Sequence, residues 1–192
     1  SDLTNLIKNT DIIFKKKSLN EILNLFKSLI GPKGTIICPS FTYSWGRDKK
    51  KKYFDVKRTK ALTGSFAEFL RTKKNSFRTP DPMFSFVVHG LNKKNFFELD
   101  NDSFGKRSVF SELLKSNAKL ISFCLNQFDP TFVHFVEQFY HENIKKIDYR
   151  SKVSLMGKLK NYQSKIYSKK QVCLLRNVNS KLFFDEKNIK KT

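Results

Sequence analysis

Apolar residues fall at helical spacing at Ile22, Leu25, Phe26, Leu29 and Ile30, between a Ser18-Leu-Asn-Glu21 capping box and the stop signal Gly31-Pro32. This pattern predicts an amphipathic helix over 18–30. The next apolar run, Thr35 to Pro39, is short and continuous and reads as a buried strand opening into the polar loop Ser40 to Trp45. A second capping-box pattern, Ser65-Phe-Ala-Glu68, predicts a short helix, and Ser85 to Val88 reads as a strand ending at His89-Gly90. Helices are predicted over 92–99 and 108–115, followed by a buried strand over 119–124. Asp129-Pro130 reads as an N-cap and a first-turn proline for a helix over 131–142, with Phe132, Phe135, Val136 and Phe139 on one face. Strand-like pieces at 153–159, 162–167 and 172–175 complete the chain. The expected architecture is α/β, with a core over 1–150 and a small antiparallel, β-rich appendage with a Lys-rich end over 151–192 of the same domain.

Composition narrows the classes. The 192 residues, 39% hydrophobic and 14% aromatic, suffice for one compact domain with a real core. Lys and Arg exceed Asp and Glu by 38 − 17 = +21, which attracts phosphate-bearing partners: nucleic acid, an anionic membrane surface or a phosphorylated small molecule. The basic residues are spread through every segment, with Lys49 to Lys52 as the only long run, and they do not alternate with aromatics as in a base-stacking platform. No window approaches the roughly 20 apolar residues of a membrane span, and the first residues lack a leader pattern, so a cytoplasmic location is expected. Cys38, Cys124 and Cys173 are far apart with no CxxC spacing and read as buried thiols of a reducing compartment.

His134 and Glu137 are three residues apart on one helix, where a carboxylate can orient an imidazole for general-base work. The same spacing also fits a plain surface ion pair. His141 lies on that face too, but the spacing is not that of a zinc helix. Cys124 beside His134 would suit a nucleophile, and equally a structural thiol. The loop Ser40 to Ser44 follows the carboxyl end of a strand, where open α/β sheets bind ligands, and it carries no GxGxxG or GxxxxGK[ST] pattern. The prolines of Arg78-Thr79-Pro80-Asp81-Pro82 stiffen a loop leading into the strand at Ser85.

Taken in order, Gly34 to Ser44, Thr63-Gly64 with Glu68 and Arg71, Arg78 to Pro82 with Ser85, Phe104-Gly105, Ser108 to Phe110, Thr131 to His134 with Glu137, and Tyr149-Arg150 resemble the aminoglycoside 3-N-acetyltransferase family. The likeness is greater to members acting on amino sugars of surface polysaccharides than to resistance enzymes. It runs over residues 1–150 and weakens beyond. It implies a mixed central sheet flanked by helices, distinct from the GNAT fold, and acetyl-CoA as the donor for acetylation of an amino sugar, nucleotide-linked ones included.

The resemblance implies His134 as base and Glu137 as its acidic neighbour. It implies donor contacts from Ser1, Asp2, Leu3, Thr42, Tyr43, Arg78, Thr79 and Ser85, and acceptor contacts from Asp81 and Tyr43. Groups near Thr42 or Ser85 would support an oxyanion. No metal, specific nucleic acid or membrane span is expected, and the oligomeric state is open, a dimer being one option. Many resistance members carry histidines where this chain has Asp81 and Phe84, and the glycine the family leads one to expect after the strand at Leu120 to Phe123 is Cys124 here. The first residue matches the end of the family's first strand, as if a helix and strand were missing before it. A basic nucleic-acid-binding protein and an inactive acetyltransferase remnant are the competing readings.

Overall fold

The protein's structure, a computed structural model, describes residues 12–46, 49–122, 130–145 and 149–177. Helix α1 spans Ile12–Ile30, so it begins before Ser18, which lies inside it rather than at its N-cap. Its buried stripe is Leu19 and Leu23 with Ile22 and Phe26 beside them, whereas Leu25 and Leu29 of the expected face point to solvent. Gly31 ends the helix at φ +74°, its N–H donating to Lys27 O at 2.9 Å.

Two three-stranded sheets follow. Strand β1 (Thr35–Pro39) and β3 (Ser76–Arg78) flank β4 (Phe86–Gly90), all antiparallel. Strand β2 (Tyr53–Asp55) runs parallel to β5 (Arg150–Lys160), which pairs antiparallel with β6 (Ile166–Arg176). The architecture is α/β, and the mixed pairing lies in the sheet of the C-terminal hairpin rather than around β1. The three expected C-terminal pieces are two long strands, with Tyr162 in the turn between them. Leu155, Leu159, Cys173 and Leu174 of this hairpin join Phe41, Trp45, Phe54, Phe84, Phe86 and Phe104 in one core.

Helix α2 (Ser65–Arg71) starts at Gly64, φ +114°, without a side-chain cap. Its Glu68 carboxylate is taken by Ala61 N at 3.0 Å and by Arg71, so the expected capping box does not form. Residues 92–96 form a 3₁₀ turn instead of an α-helix, with Phe96 inside and Leu91 and Phe97 exposed. Helix α3 (Val109–Lys115) is capped by Ser108, which accepts from Ser111 N at 3.3 Å. Residues 119–122 are not a buried strand: Leu120 and Ile121 are exposed, and no described strand pairs with them. Cys124 and Asp129 lie outside the described residues.

Helix α4 (Phe132–Asn143) has no side-chain cap at Thr131. Phe132 and Phe135 pack on the core, but Val136 and Phe139 are exposed and the buried residue is Gln138. Among the described residues no helix is long and apolar enough to cross a membrane.

Candidate active site

On α4, His134 and Glu137 meet as the spacing requires, Nδ1 lying 2.8 Å from Oε2. The acidic side chain is nearly covered and the imidazole about three-quarters covered. A carboxylate can only accept, so in the neutral ring Nδ1 carries the hydrogen and Nε2 presents its lone pair. The ring stands edge-on to Phe104, centroids 5.7 Å apart. Tyr149 OH donates to Oε1 at 3.0 Å, and Arg150 Nε lies 2.7 Å from Oε2, its N–H angled off the line of a hydrogen bond.

An aromatic row joins this pair to the loop after β1. Phe104 packs on Phe84 at 4.8 Å, and Phe84 meets the Tyr43 ring edge-on at 5.6 Å. Tyr43 sits at φ +48° in a loop pinned to Pro82 and Met83: Ser44 N donates to Pro82 O at 2.9 Å, and Thr42 Oγ1 donates there at 2.7 Å. The Tyr43 side chain remains 40% exposed.

Arg78 is the buried organiser beneath the loop. It is 1% exposed, and Nε donates to Ser85 Oγ at 3.0 Å and Ser40 Oγ at 3.2 Å, while Nη1 and Nη2 reach Thr59 O and Ser40 O, each at 2.5 Å. Its guanidinium lies over Phe54 at 5.1 Å. Burial pulls its pKa down to about 10, which leaves it charged at neutral pH. Ser85 Oγ donates to Ser40 O at 2.7 Å, and Thr79 Oγ1 accepts from Phe86 N at 2.9 Å. The hydrogens of Thr42 and Ser85 are therefore given to carbonyls, which leaves neither for an oxyanion.

Asp81 Oδ1 caps the next turn, accepting from Met83 N and Phe84 N at 2.8 and 2.9 Å. Its Oδ2 accepts from Ser103 Oγ at 2.6 Å and Gln171 Nε2 at 3.2 Å. Asp81, Asp100 and Asp102 line one cleft, with Lys169 at its side donating to Pro80 O at 2.6 Å. The space within the cleft is about 20 Å³, room for one water. Gln138, one turn beyond His134, donates to Asp102 at 2.9 Å and so ties α4 to this cleft.

The fold thus brings together His134, Glu137 and, through Phe104 and Phe84, Tyr43. Thr42, Arg78, Thr79, Ser85 and Asp81 lie beneath them as support, and Ser1, Asp2 and Leu3 lie outside the described residues. The contacts of Tyr149, Arg150 and Phe104 with the pair were not legible. Their one sequence signal is that all three belong to the family pattern. Among the described residues no three His, Cys, Asp or Glu side chains gather as a metal site.

The family described as aminoglycoside 3-N-acetyltransferase matches residues 12–183. No curated protein matches the sequence. Among solved structures, the chain is similar to AAC-IIIb in binary complex with CoASH, at 17% identity and TM-score 0.63, covering 85% of this chain and 64% of that one. AAC-VIa bound to sisomicin is similar at 18% identity and TM-score 0.66, covering 87% of this chain and 66% of that one. The YokD protein from Bacillus subtilis is similar at 15% identity and TM-score 0.60, covering 83% and 68%. The chain therefore spans about two-thirds of the length of these structures, and the likeness is one of fold.

Proposed function

Because the chain belongs to the aminoglycoside 3-N-acetyltransferase family, we propose that it transfers an acetyl group from acetyl-CoA to the amine of an amino sugar, with His134 as the general base. The observation that carries this reading is the His134–Glu137 pair at 2.8 Å, which leaves Nε2 as the available acceptor. An ammonium is unreactive until it loses a proton; that first proton passes to solvent, which leaves the neutral amine as nucleophile and the Nε2 lone pair of His134 free for the next one. The amine nitrogen then attacks the thioester carbonyl. A C–N bond forms, the C–S bond breaks, the amine's second proton passes to Nε2, and the proton returns to the departing thiolate to give CoASH. Glu137 stabilises the imidazolium in between.

Tyr43, exposed at the end of the aromatic row, is the described residue best placed to touch the donor. Arg78, Thr42, Thr79 and Ser85 hold its loop. Asp81 and Phe84, standing where many resistance members have histidines, favour a sugar other than an aminoglycoside, nucleotide-linked ones included. The free thiols Cys38 and Cys173 suit a reducing cytoplasm that contains acetyl-CoA.

The test is release of CoASH thiol from acetyl-CoA in the presence of aminoglycosides, simple amino sugars and nucleotide-linked amino sugars. Amine-dependent release that is lost in His134→Ala is expected. A folded chain that releases no thiol with any amine would overturn the activity, and full turnover by His134→Ala would overturn the base.

A further inference from the structure

We propose that Tyr149 and Arg150 clamp the Glu137 carboxylate in one orientation and thereby hold His134 in the one tautomer that can act as a base. The inference deepens the acetyltransferase reading and rests on it for its catalytic meaning. Both carboxylate oxygens are occupied: Tyr149 OH is 3.0 Å from Oε1, and His134 Nδ1 and Arg150 Nε are 2.8 and 2.7 Å from Oε2. The carboxylate cannot turn without losing a partner. Its orientation decides the histidine's role. Held in place, the carboxylate accepts from Nδ1–H and leaves Nε2 a lone pair, whereas a carboxylate turned away frees Nδ1 and lets the ring's hydrogen sit on Nε2, where no proton could be taken up.

Tyr149 and Arg150 both hold the carboxylate in place, one as a hydrogen-bond donor and the other as a positive charge. Burial, followed by its bond to Glu137, pushes the Tyr149 hydroxyl up, so it stays a donor at neutral pH. Arg150 acts through charge, since its N–H is not aimed along the line to Oε2. Other groups around α4 are His141 on its own face, and Asp102, Lys152 and Glu142. The last three balance one another at 2.8 and 2.6 Å, with Gln138 between Asp102 and the pair. Tyr149 and Arg150 are positioning residues: they touch Glu137, not the reacting atoms.

The experiment is ¹⁵N NMR of the imidazoles across pH for the wild type, Tyr149→Phe, Arg150→Gln and Arg150→Lys, with the His134 signals assigned by their loss in His134→Gln. The neutral wild-type ring should carry its hydrogen on Nδ1. In Tyr149→Phe and Arg150→Gln the Nε2–H form should appear, with kcat lowered about tenfold, a fraction of what a general base supplies, and KM for acetyl-CoA unchanged. Arg150→Lys should restore most of both. An Nε2–H ring in the wild type, or an unchanged tautomer in both variants with folded spectra, would overturn the clamp. The tautomer is read without turnover, so acetylation with an indifferent tautomer refutes the clamp alone, and the expected tautomers in a chain that acetylates nothing refute the acetyltransferase reading alone.

Discussion

Replacing Gly157 by alanine adds one methyl group at the point where β5 crosses the loop after β1. An ideal Cβ there would lie 2.5 Å from Trp45 Cε2, 2.7 Å from Trp45 Nε1 and 2.7 Å from Lys52 O. Neither neighbour can give cheaply. The Trp45 side chain is fully buried in the core, and Lys52 O accepts from Lys158 N at 2.9 Å, so moving it would break the β2–β5 pairing. Alanine offers a backbone gain of about 0.5–1 kcal/mol over glycine inside a strand. Overpacking a tight core costs about 1–3 kcal/mol, so the clash wins and the net loss is about 1–2 kcal/mol. Trp45 is the only tryptophan of the chain, so its fluorescence reports unfolding at the site of the change. With a urea slope of about 2 kcal/mol per molar, the midpoint should fall by about 0.5–1 M. Because Trp45 ends the Ser40 to Trp45 loop, KM for acetyl-CoA should rise as well. An unchanged or raised midpoint would refute the packing argument.

His134→Gln should lower kcat about 10²- to 10⁴-fold with an unchanged urea midpoint, because the ring is at the edge of the core; a parallel fall in midpoint would mark a structural role instead. Arg78→Lys keeps the charge but cannot fill Thr59 O, Ser40 O and the two serine hydroxyls together, and should cost about 2 kcal/mol or more by urea unfolding. Burial, with Asp81 nearby, pushes the Cys173 thiol up from 9.0 in the folded chain. The unfolded chain ionises it first, so its contribution is complete below pH 9.0 and is lost as pH rises above it, at up to about 1.4 kcal/mol per pH unit. Stability measured on either side of that pH should fall more steeply in the wild type than in Cys173→Ala.

The most legible parts of the chain were those set by local pattern. The i, i+3 spacing of His134 and Glu137 placed both on one helix face, and the Gly31 stop and the Thr35 to Pro39 run marked α1's end and β1 because each depends on neighbouring residues alone. Capping boxes misled where a tertiary partner outbid the cap. Glu68 is drawn to Ala61 N and Arg71, and Ser18 lies inside a helix that extends back to Ile12. Leu120 and Ile121 are exposed because no described strand lies beside them, and an apolar run needs such a neighbour to become a buried strand. The site's remaining parts are long-range. Tyr149 lies 12 residues beyond Glu137, Phe104 reaches His134 from another segment, and Arg78's acceptors come from Ser40, Thr59 and Ser85. No spacing rule foretells such contacts.

Acetyl transfer from acetyl-CoA to a sugar amine through His134 can be read by mass spectrometry of amino-sugar acceptors incubated with the chain and isotope-labelled acetyl-CoA, beside His134→Ala. A labelled acetyl group is expected on the amine nitrogen of at least one acceptor, and none with the variant. Unmodified acceptors throughout, from a folded chain at saturating donor, would overturn the proposed activity.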